Sequence, residues 1–227
     1  MDIESLAQII KNDCSDKFEK FENLLLEYNK KCNLTSITAK NEVFIKHFLD
    51  SVAGESLFPK NSKVVEIGSG GGFPSVPLKI IRDDLAFTLI ESTGKKCTFL
   101  NDVVDKLGLN CVQVLNIRAE DGARDKNLRE KFDIACARAV AQLNTLCEYC
   151  LPYVKVGGSF IAYKGDADEE IKNAKNAVEV LGGKIDEILT FDLPEGGGRR
   201  NIIKIIKIKP TPKDYPRGQG RERKNPL

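Results

Sequence analysis

The stretch Val64-Val65-Glu66-Ile67-Gly68-Ser69-Gly70-Gly71-Gly72-Phe73-Pro74 decides how the chain is read. A β-branched pair, an acid, four glycines in five positions and then Phe-Pro read as a buried strand, a tight loop and the first turn of a helix. Glycine is needed where a loop turns with φ > 0 and lets a ligand touch its backbone. Pro74 suits a helix start, where its missing N–H has no intrahelical partner to lose. A helix beginning there directs free N–H groups and the positive end of its dipole toward a ligand. The loop therefore predicts a nucleotide-shaped cofactor site.

Downstream, short apolar runs alternate with amphipathic stretches. Strands are expected at 63–67, 86–91, 111–115, 132–136 and 158–163, with helices at 74–82, 94–107, 139–150 and 166–181. Such a series specifies a parallel sheet covered by helices on both faces. Two more strands, at 184–192 and 200–208, are joined by a glycine-rich turn with no helix between them, which fits a C-terminal antiparallel hairpin. The alternating Ile/Lys run from Ile202 to Lys209 reads as an edge strand guarded by lysines. Upstream, residues 2–31 carry apolar side chains at three-and-four spacing (Leu6, Ile9, Ile10, Phe18, Phe21, Leu24, Leu25, Tyr28), and a second helical stretch covers 41–58. The expected fold is α/β, Rossmann-like, with a seven-stranded mostly parallel sheet: a helical extension at 1–60, a core at 61–209 and a basic tail at 210–227, forming one globular domain.

With 227 residues, 41% of them hydrophobic, the chain can bury one full core. No apolar run reaches the ~18 residues of a membrane span, and the N-terminus lacks the pattern of a signal peptide. A cytoplasmic monomer is expected. The seven cysteines show no paired spacing, which argues for reduced thiols. Cys147-x-x-Cys150 falls on an expected helix without a second pair, so a structural role is read there, and no histidine–cysteine–carboxylate cluster supports a metal. The formal charge of +2 conceals an asymmetry, since Arg199–Leu227 holds ten Lys/Arg against two Asp/Glu. Charge alone leaves two readings of that segment open, a polyanion-binding edge or a solvated tail.

A dinucleotide fingerprint requires Gly-x-Gly-x-x-Gly, and Phe73 occupies its third glycine position. The spacing instead gives Glu-x-Gly-x-Gly-x-Gly over Glu66–Gly72, which resembles the first motif of S-adenosylmethionine-dependent methyltransferases. Glu91 closes the second strand, where an acid can accept both ribose hydroxyls. Arg118-Ala119-Glu120-Asp121 follows the third strand, where an adenine ring would lie.

The segments Glu66–Pro77, Leu89–Leu100, Arg118–Glu120, Phe132–Ala141, Lys164-Gly165 and Tyr215–Leu227 together resemble the RsmG family, also called glucose-inhibited division protein B. Asn33–Thr35 and His47–Ser51 resemble it too, so the resemblance spans nearly the whole chain. It implies a bacterial enzyme that transfers a methyl group from S-adenosylmethionine to N7 of a guanine in 16S ribosomal RNA, with the RNA or a small-subunit precursor as partner. Carried over by position, it implies cofactor contacts at Gly68, Phe73, Ala119, Glu120 and Arg138, with Glu91 on the ribose; Gly70 of the same loop is expected to join them. The chain departs from the family's usual residues at Glu66 (Asp), Ser75 (Gly) and Ala137 (Ser).

Guanine N7 carries a lone pair and no proton, so its methylation needs no general base. The stretch Cys136-Ala137-Arg138-Ala139 correspondingly lacks the Asn/Asp-Pro-Pro-Tyr/Phe motif of exocyclic-amine methylases. Arg138 is read as holding the methionine carboxylate or shaping the pocket, with a structural ion pair as the alternative. His47, the only histidine, is either a hydrogen-bonded structural residue or a substrate contact. Placement suggests Asn33, His47, Asp50 and Ser51 for the base pocket, and Lys164, Arg199, Arg200, Arg217, Arg221, Arg223 and Lys224 for RNA phosphates. Three rival readings are a methyltransferase for a small molecule or protein, a non-enzymatic RNA-binding protein, and a nicotinamide-dependent oxidoreductase; Phe73 disfavours the last.

Overall fold

In the computed structural model, which describes residues 2–227, seven strands form one sheet in the order β3-β2-β1-β4-β5-β7-β6. The strands are β1 Lys63–Ile67, β2 Ala86–Ile90, β3 Val112–Leu115, β4 Phe132–Arg138, β5 Val154–Lys164, β6 Gly183–Leu193 and β7 Gly198–Lys207. The first five run parallel, and β7 lies antiparallel between β5 and β6.

The period of two along each strand sends neighbouring side chains to opposite faces. Val64, Ile134, Ile161 and Ile202 enter one apolar core, whereas Val65, Ala135, Phe160 and Ile203 enter the other. The first core is closed by helices Ser75–Ile81 and Gly94–Leu107 and by the N-terminal layer, whose Phe18, Phe21, Leu25, Phe48 and Leu49 are buried. The N-terminal segment is therefore part of the main core. The second face is closed by helix Leu143–Cys150 and the helices Asp168–Asn173 and Lys175–Val180, with Cys147 and Cys150 fully buried as free thiols.

Several boundaries differ from expectation. The 2–31 stretch breaks at Cys14 (φ −125°), after a π-helical turn, and resumes as helix Ser15–Cys32. The second helical stretch contains a π-helical segment, Phe44–Leu49. The helix expected from 139 begins at Leu143, because Ala139 adopts φ +56° and residues 139–142 form a loop over the sheet end.

The Ile/Lys run is not an edge strand: β7 is internal, and the edge belongs to β6. Isoleucines 202, 203 and 205 fill both faces, as an inner strand requires. Lys204 pairs with Asp186 of β6 at 2.8 Å. Lys207 is buried, donates to the Leu151 carbonyl (2.7 Å) and to Thr211 Oγ1 (2.6 Å), and has its pKa lowered by that burial to about 8. Nor is the C-terminal segment a solvated tail. Arg129 donates to the carbonyls of Thr211 (2.9 Å), Pro212 (3.1 Å) and Tyr215 (2.9 Å), and both Thr211 and Glu222 are buried.

The glycine loop packs tightly on the helices of the first core. Gly72 sits at φ +81°, and a Cβ there would stand 2.7 Å from Val76 Cγ2 and 3.3 Å from Leu100 Cδ2. Left-handed strain and overpacking act together on an added methyl. Gly72→Ala is expected to lower unfolding stability by about 2–4 kcal/mol in urea titrations.

Candidate cofactor and nucleic-acid site

At the C-terminal ends of β1, β2 and β4 the backbone forms a cradle. The amides of Gly68 and Ser69 both donate to the Ile90 carbonyl, at 2.8 and 3.1 Å, so the loop after β1 hangs from the end of β2. Gly68 (φ +71°) leaves room that a Cβ would close, since that atom would approach Val140 Cγ2 to 2.7 Å. Glu91 follows immediately after β2, with Oε2 accepting from the Gly70 amide (3.0 Å) and Oε1 from the Thr93 amide (2.8 Å). Two of about four lone-pair sites on the carboxylate are thus taken, which fixes its orientation and leaves acceptor capacity for a diol.

Two adjoining hollows share Gly68, Ser92 and Val140. One, of about 340 Å³, is bounded by Ile67, Ile90, Ala119, Glu120 and Tyr149. The other, of about 560 Å³, is bounded by Gly70, Phe73, Glu91, His47 and Arg138 and by the segment Leu34–Ile37. All seven residues expected as cofactor contacts therefore line this cleft. Its size and mixed apolar and polar walls suit a nucleoside-containing ligand.

Between cleft and N-terminal layer lies a polar and aromatic node. Phe73 stacks on His47 (centroids 4.4 Å apart, 20° between planes), with the Arg138 guanidinium 4.8 Å from its centroid and Phe21 at 5.4 Å. Arg138 donates to Asp50 Oδ2 (2.8 Å) and to the Lys46 carbonyl (3.0 Å), and Arg200 donates to Asp50 Oδ1 at 3.1 Å. Arg138 Nη2 lies 3.0 Å from His47 Nδ1, while His47 Nε2 lies 2.7 Å from Thr35 Oγ1. Nδ1 also lies 3.2 Å from the Lys46 carbonyl, but the closer guanidinium can only donate, so Nδ1 is assigned as the acceptor and Nε2 as the protonated nitrogen. Burial, reinforced by the Arg138 charge, lowers the His47 pKa to about 3, so the ring is neutral at physiological pH. His47 is thus hydrogen-bonded within the node, and its ring also borders the cleft. Arg138 is the ion-paired residue of the alternative reading and at the same time a wall of the pocket.

The remaining expected residues divide. Ser51 is fully buried and donates to the His47 carbonyl at 2.5 Å, so it supports the node and faces no hollow. Asn33 is the left-handed C-cap of helix Ser15–Cys32, exposed and next to the Leu34–Ile37 wall. A third hollow of about 380 Å³ joins Lys46, His47, Asp50, Arg138, Lys164 and Arg200. Its Lys164 is held by the Ala141 carbonyl and by Glu170, both at 2.6 Å. Arg199 is exposed, 4.0 Å from Asp168. Lys224 is exposed on the short helix Arg221–Lys224. Arg217 is bound to the buried Glu148 carboxylate at 2.7 Å, an anchor within the fold. Tyr149, Lys46 and the Leu34–Ile37 wall were not singled out as site residues. Tyr149 reads as one more residue of a core helix, and only the likeness at Asn33–Thr35 signalled that the connecting loop borders the cleft. Among the described residues no group of carboxylates, histidines and cysteines could hold a metal ion, and no helix is long and apolar enough to cross a membrane.

This sheet order, with its antiparallel seventh strand and a glycine cradle at the end of β1, defines the Rossmann-like methyltransferase class. Solved structures of that class superpose on the chain. TYW2 from M. jannaschii, solved in complex with AdoMet, matches with TM-score 0.58 and 16% identity over 76% of this chain and 80% of its own. Precorrin-6y C5,15-methyltransferase from Geobacter metallireducens gives 0.55 and 15% over 69% and 87%. The family model described as rRNA small subunit methyltransferase G matches residues 14–202, and the chain belongs to that family. The Ribosomal RNA small subunit methyltransferase G of Acetivibrio thermocellus is 47% identical over 216 residues, covering 93% of this chain and 88% of the relative. That of Clostridium perfringens is 44% identical over 227 residues, covering 99% and 95%.

Glu66 lies beneath the cradle, fully buried, and neither carboxylate oxygen makes a hydrogen bond. Burial pushes its pKa up to about 7, the Ser75 and Ser69 hydroxyls opposing the shift. A pKa raised by folding gives stability that is complete below the unfolded value, near 4.5, and is lost as pH rises through about 7. Glu66→Gln is expected to be more stable than the parent at pH 8.5, by about 1–3 kcal/mol, with the gap closing as pH falls from about 7 toward 4.5 in thermal unfolding across that range.

Proposed function

We propose that the chain transfers a methyl group from S-adenosylmethionine to N7 of a guanine in 16S ribosomal RNA. The observation that carries the cofactor reading is the pairing of the open Gly68–Gly70 backbone with Glu91, whose carboxylate is pinned by the Gly70 and Thr93 amides. Gly68 and Gly70 would hold the nucleoside and methionine backbone side of the cofactor, Glu91 the ribose, and Ala119 with Glu120 the adenine. When bound, S-adenosylmethionine supplies an electrophilic methyl group. The protein's task is then to orient a neutral acceptor and exclude water, and orientation of this kind is worth roughly 7–11 kcal/mol.

The ribosomal RNA reading rests on membership of the family and on the cations gathered beside the cleft. Arg138, Arg200 and Lys164 stand against Asp50 and Glu170, which leaves the third hollow with excess positive charge where His47, Arg138 and Ala139 connect it to the cradle. Arg138 shares the Asp50 carboxylate with Arg200, which offsets part of its charge; its role in this reading is to set the wall that Phe73 and His47 complete. A proton acceptor is not needed at N7, and neutral His47 with its Nδ1 lone pair committed to Arg138 is not built to be one.

Incubation with labelled S-adenosylmethionine and, in parallel, naked 16S RNA, small subunits, other RNA and total protein tests the reading. Label in 16S RNA that maps to a guanine cleaved by borohydride and aniline is the expected result; label in protein, or in an exocyclic amine, would overturn it. Glu91→Ala is expected to abolish S-adenosylhomocysteine binding in calorimetry while circular dichroism stays unchanged.

Removing residues 210–227 would disturb the fold, so RNA contacts are better tested at single exposed cations. Arg199→Gln and Lys224→Gln are each expected to weaken RNA binding evenly and to reduce the slope of log K against log salt by about 0.7–0.9. Unchanged slopes would remove these residues from the interface.

A further inference from the structure

The C-terminal segment borders the candidate cofactor cleft with Gly220 and Arg223. After β7 the chain is tied down by Arg129 and by Arg124, which donates to the Pro216 carbonyl at 2.5 Å. Arg217 then fastens it to helix Leu143–Cys150. Its backbone amide donates to Glu148 Oε1 at 2.7 Å and its Nη2 to Oε2 at 2.7 Å, and the Glu148 carboxylate is 1% exposed. One turn later Glu222 is fully buried: its side chain accepts from the Gly218 amide, and its carbonyl accepts from Thr145 Oγ1 at 3.0 Å. Between and beyond these two anchors, Gly220 (φ +74°) and Arg223 line the same 340 Å³ hollow as Ile67, Ala119, Glu120 and Tyr149. The Arg223 guanidinium stands beside the Tyr149 hydroxyl and also borders a neighbouring hollow lined by Val140, Asn144 and Pro226.

We propose that residues 210–227 form a strap that completes the adenosine end of the cofactor site, with Arg223 contacting the nucleoside and the Arg217–Glu148 pair acting as its latch. The inference rests on the cofactor reading above. The planar guanidinium of arginine suits a purine because it can stack on the ring and donate in its plane, and here it adds to the side-chain donors Ser92 and Arg118 that line the hollow with Ile67 and Ile90. A buried two-point anchor on either side of Gly218–Gly220 fixes where Arg223 emerges, which is what a contact residue on a chain terminus needs. The basic character of this segment thus serves the methyl donor as well as any polyanion, and Arg217 is a positioning residue, since it touches only the protein.

The test uses the full chain with Arg223→Met, Arg217→Met, Arg217→Lys and, as a control on an exposed position of the same segment, Lys213→Met. Calorimetry with S-adenosylhomocysteine and with adenosine reads the effect, and thermal unfolding checks folding. Arg223→Met is expected to weaken both ligands by the same factor, on the order of tenfold. Arg217→Met should raise the KM for S-adenosylmethionine and leave kcat at saturation unchanged, with Arg217→Lys restoring part of the loss and Lys213→Met without effect. If the parent chain binds S-adenosylhomocysteine and Arg223→Met binds both ligands within twofold of it, the strap is overturned and the cofactor reading stands. Weakening confined to S-adenosylhomocysteine would also overturn it, because the contact would not be with the nucleoside. Failure of the parent to bind either ligand would overturn the cofactor reading itself, and the strap with it.

Discussion

Asp50 accepts from two arginines on different strands of the sheet, Arg138 at the end of β4 and Arg200 in β7. The carboxylate belongs to the N-terminal layer, and both guanidiniums belong to the sheet. A buried charge of this kind is tolerated only when it is paired and bonded, and removing one partner strands the others. The pair therefore fixes the register of the N-terminal helices against the sheet ends. Everything that faces the cleft from that side depends on it: His47 receives its hydrogen bond from Arg138, and Phe73 packs between His47 and the aromatic core of Phe21 and Phe48.

The glycine loop is held by this node and by the end of β2. Its amides hang from the Ile90 carbonyl and from Glu91, while Phe73 pins its far end to the N-terminal layer. A site made this way is preorganised, since the backbone groups that would meet a ligand are already oriented by bonds to rigid elements. The departure at Glu66 fits the same picture. An acid with no hydrogen bond, buried under the loop, takes up a proton near neutrality and then fills space as a neutral group.

The charges show how folding redistributes a sequence property. Arg199–Leu227 carries a net charge of +8 and invites a polyanion-binding reading. In the fold, Lys207 is buried and paired with Glu130, Lys204 and Arg217 are paired, and Arg124 and Arg129 from the core hold the segment by its backbone. The outer cations Arg199, Arg221 and Lys224 keep the exposure that phosphate binding needs.

By itself the sequence determined the strand and helix series, the glycine cradle and the acid at the end of β2, because each is a local pattern: alternation, a φ > 0 requirement, a residue at a strand end. β1 and the helix Gly94–Leu107 fall where the pattern placed them. Only the tertiary structure decided that β7 is internal, that Arg138 is ion-paired, that Ser51 is buried and that the C-terminal segment walls the cleft. Those outcomes depend on which partner a side chain meets across a separation of 69 residues, as for Arg217 and Glu148, or 88, as for Arg138 and Asp50. A local pattern carries the polarity of a residue but not the identity of its distant partner, and for arginine and lysine that partner decides between solvent, substrate and core.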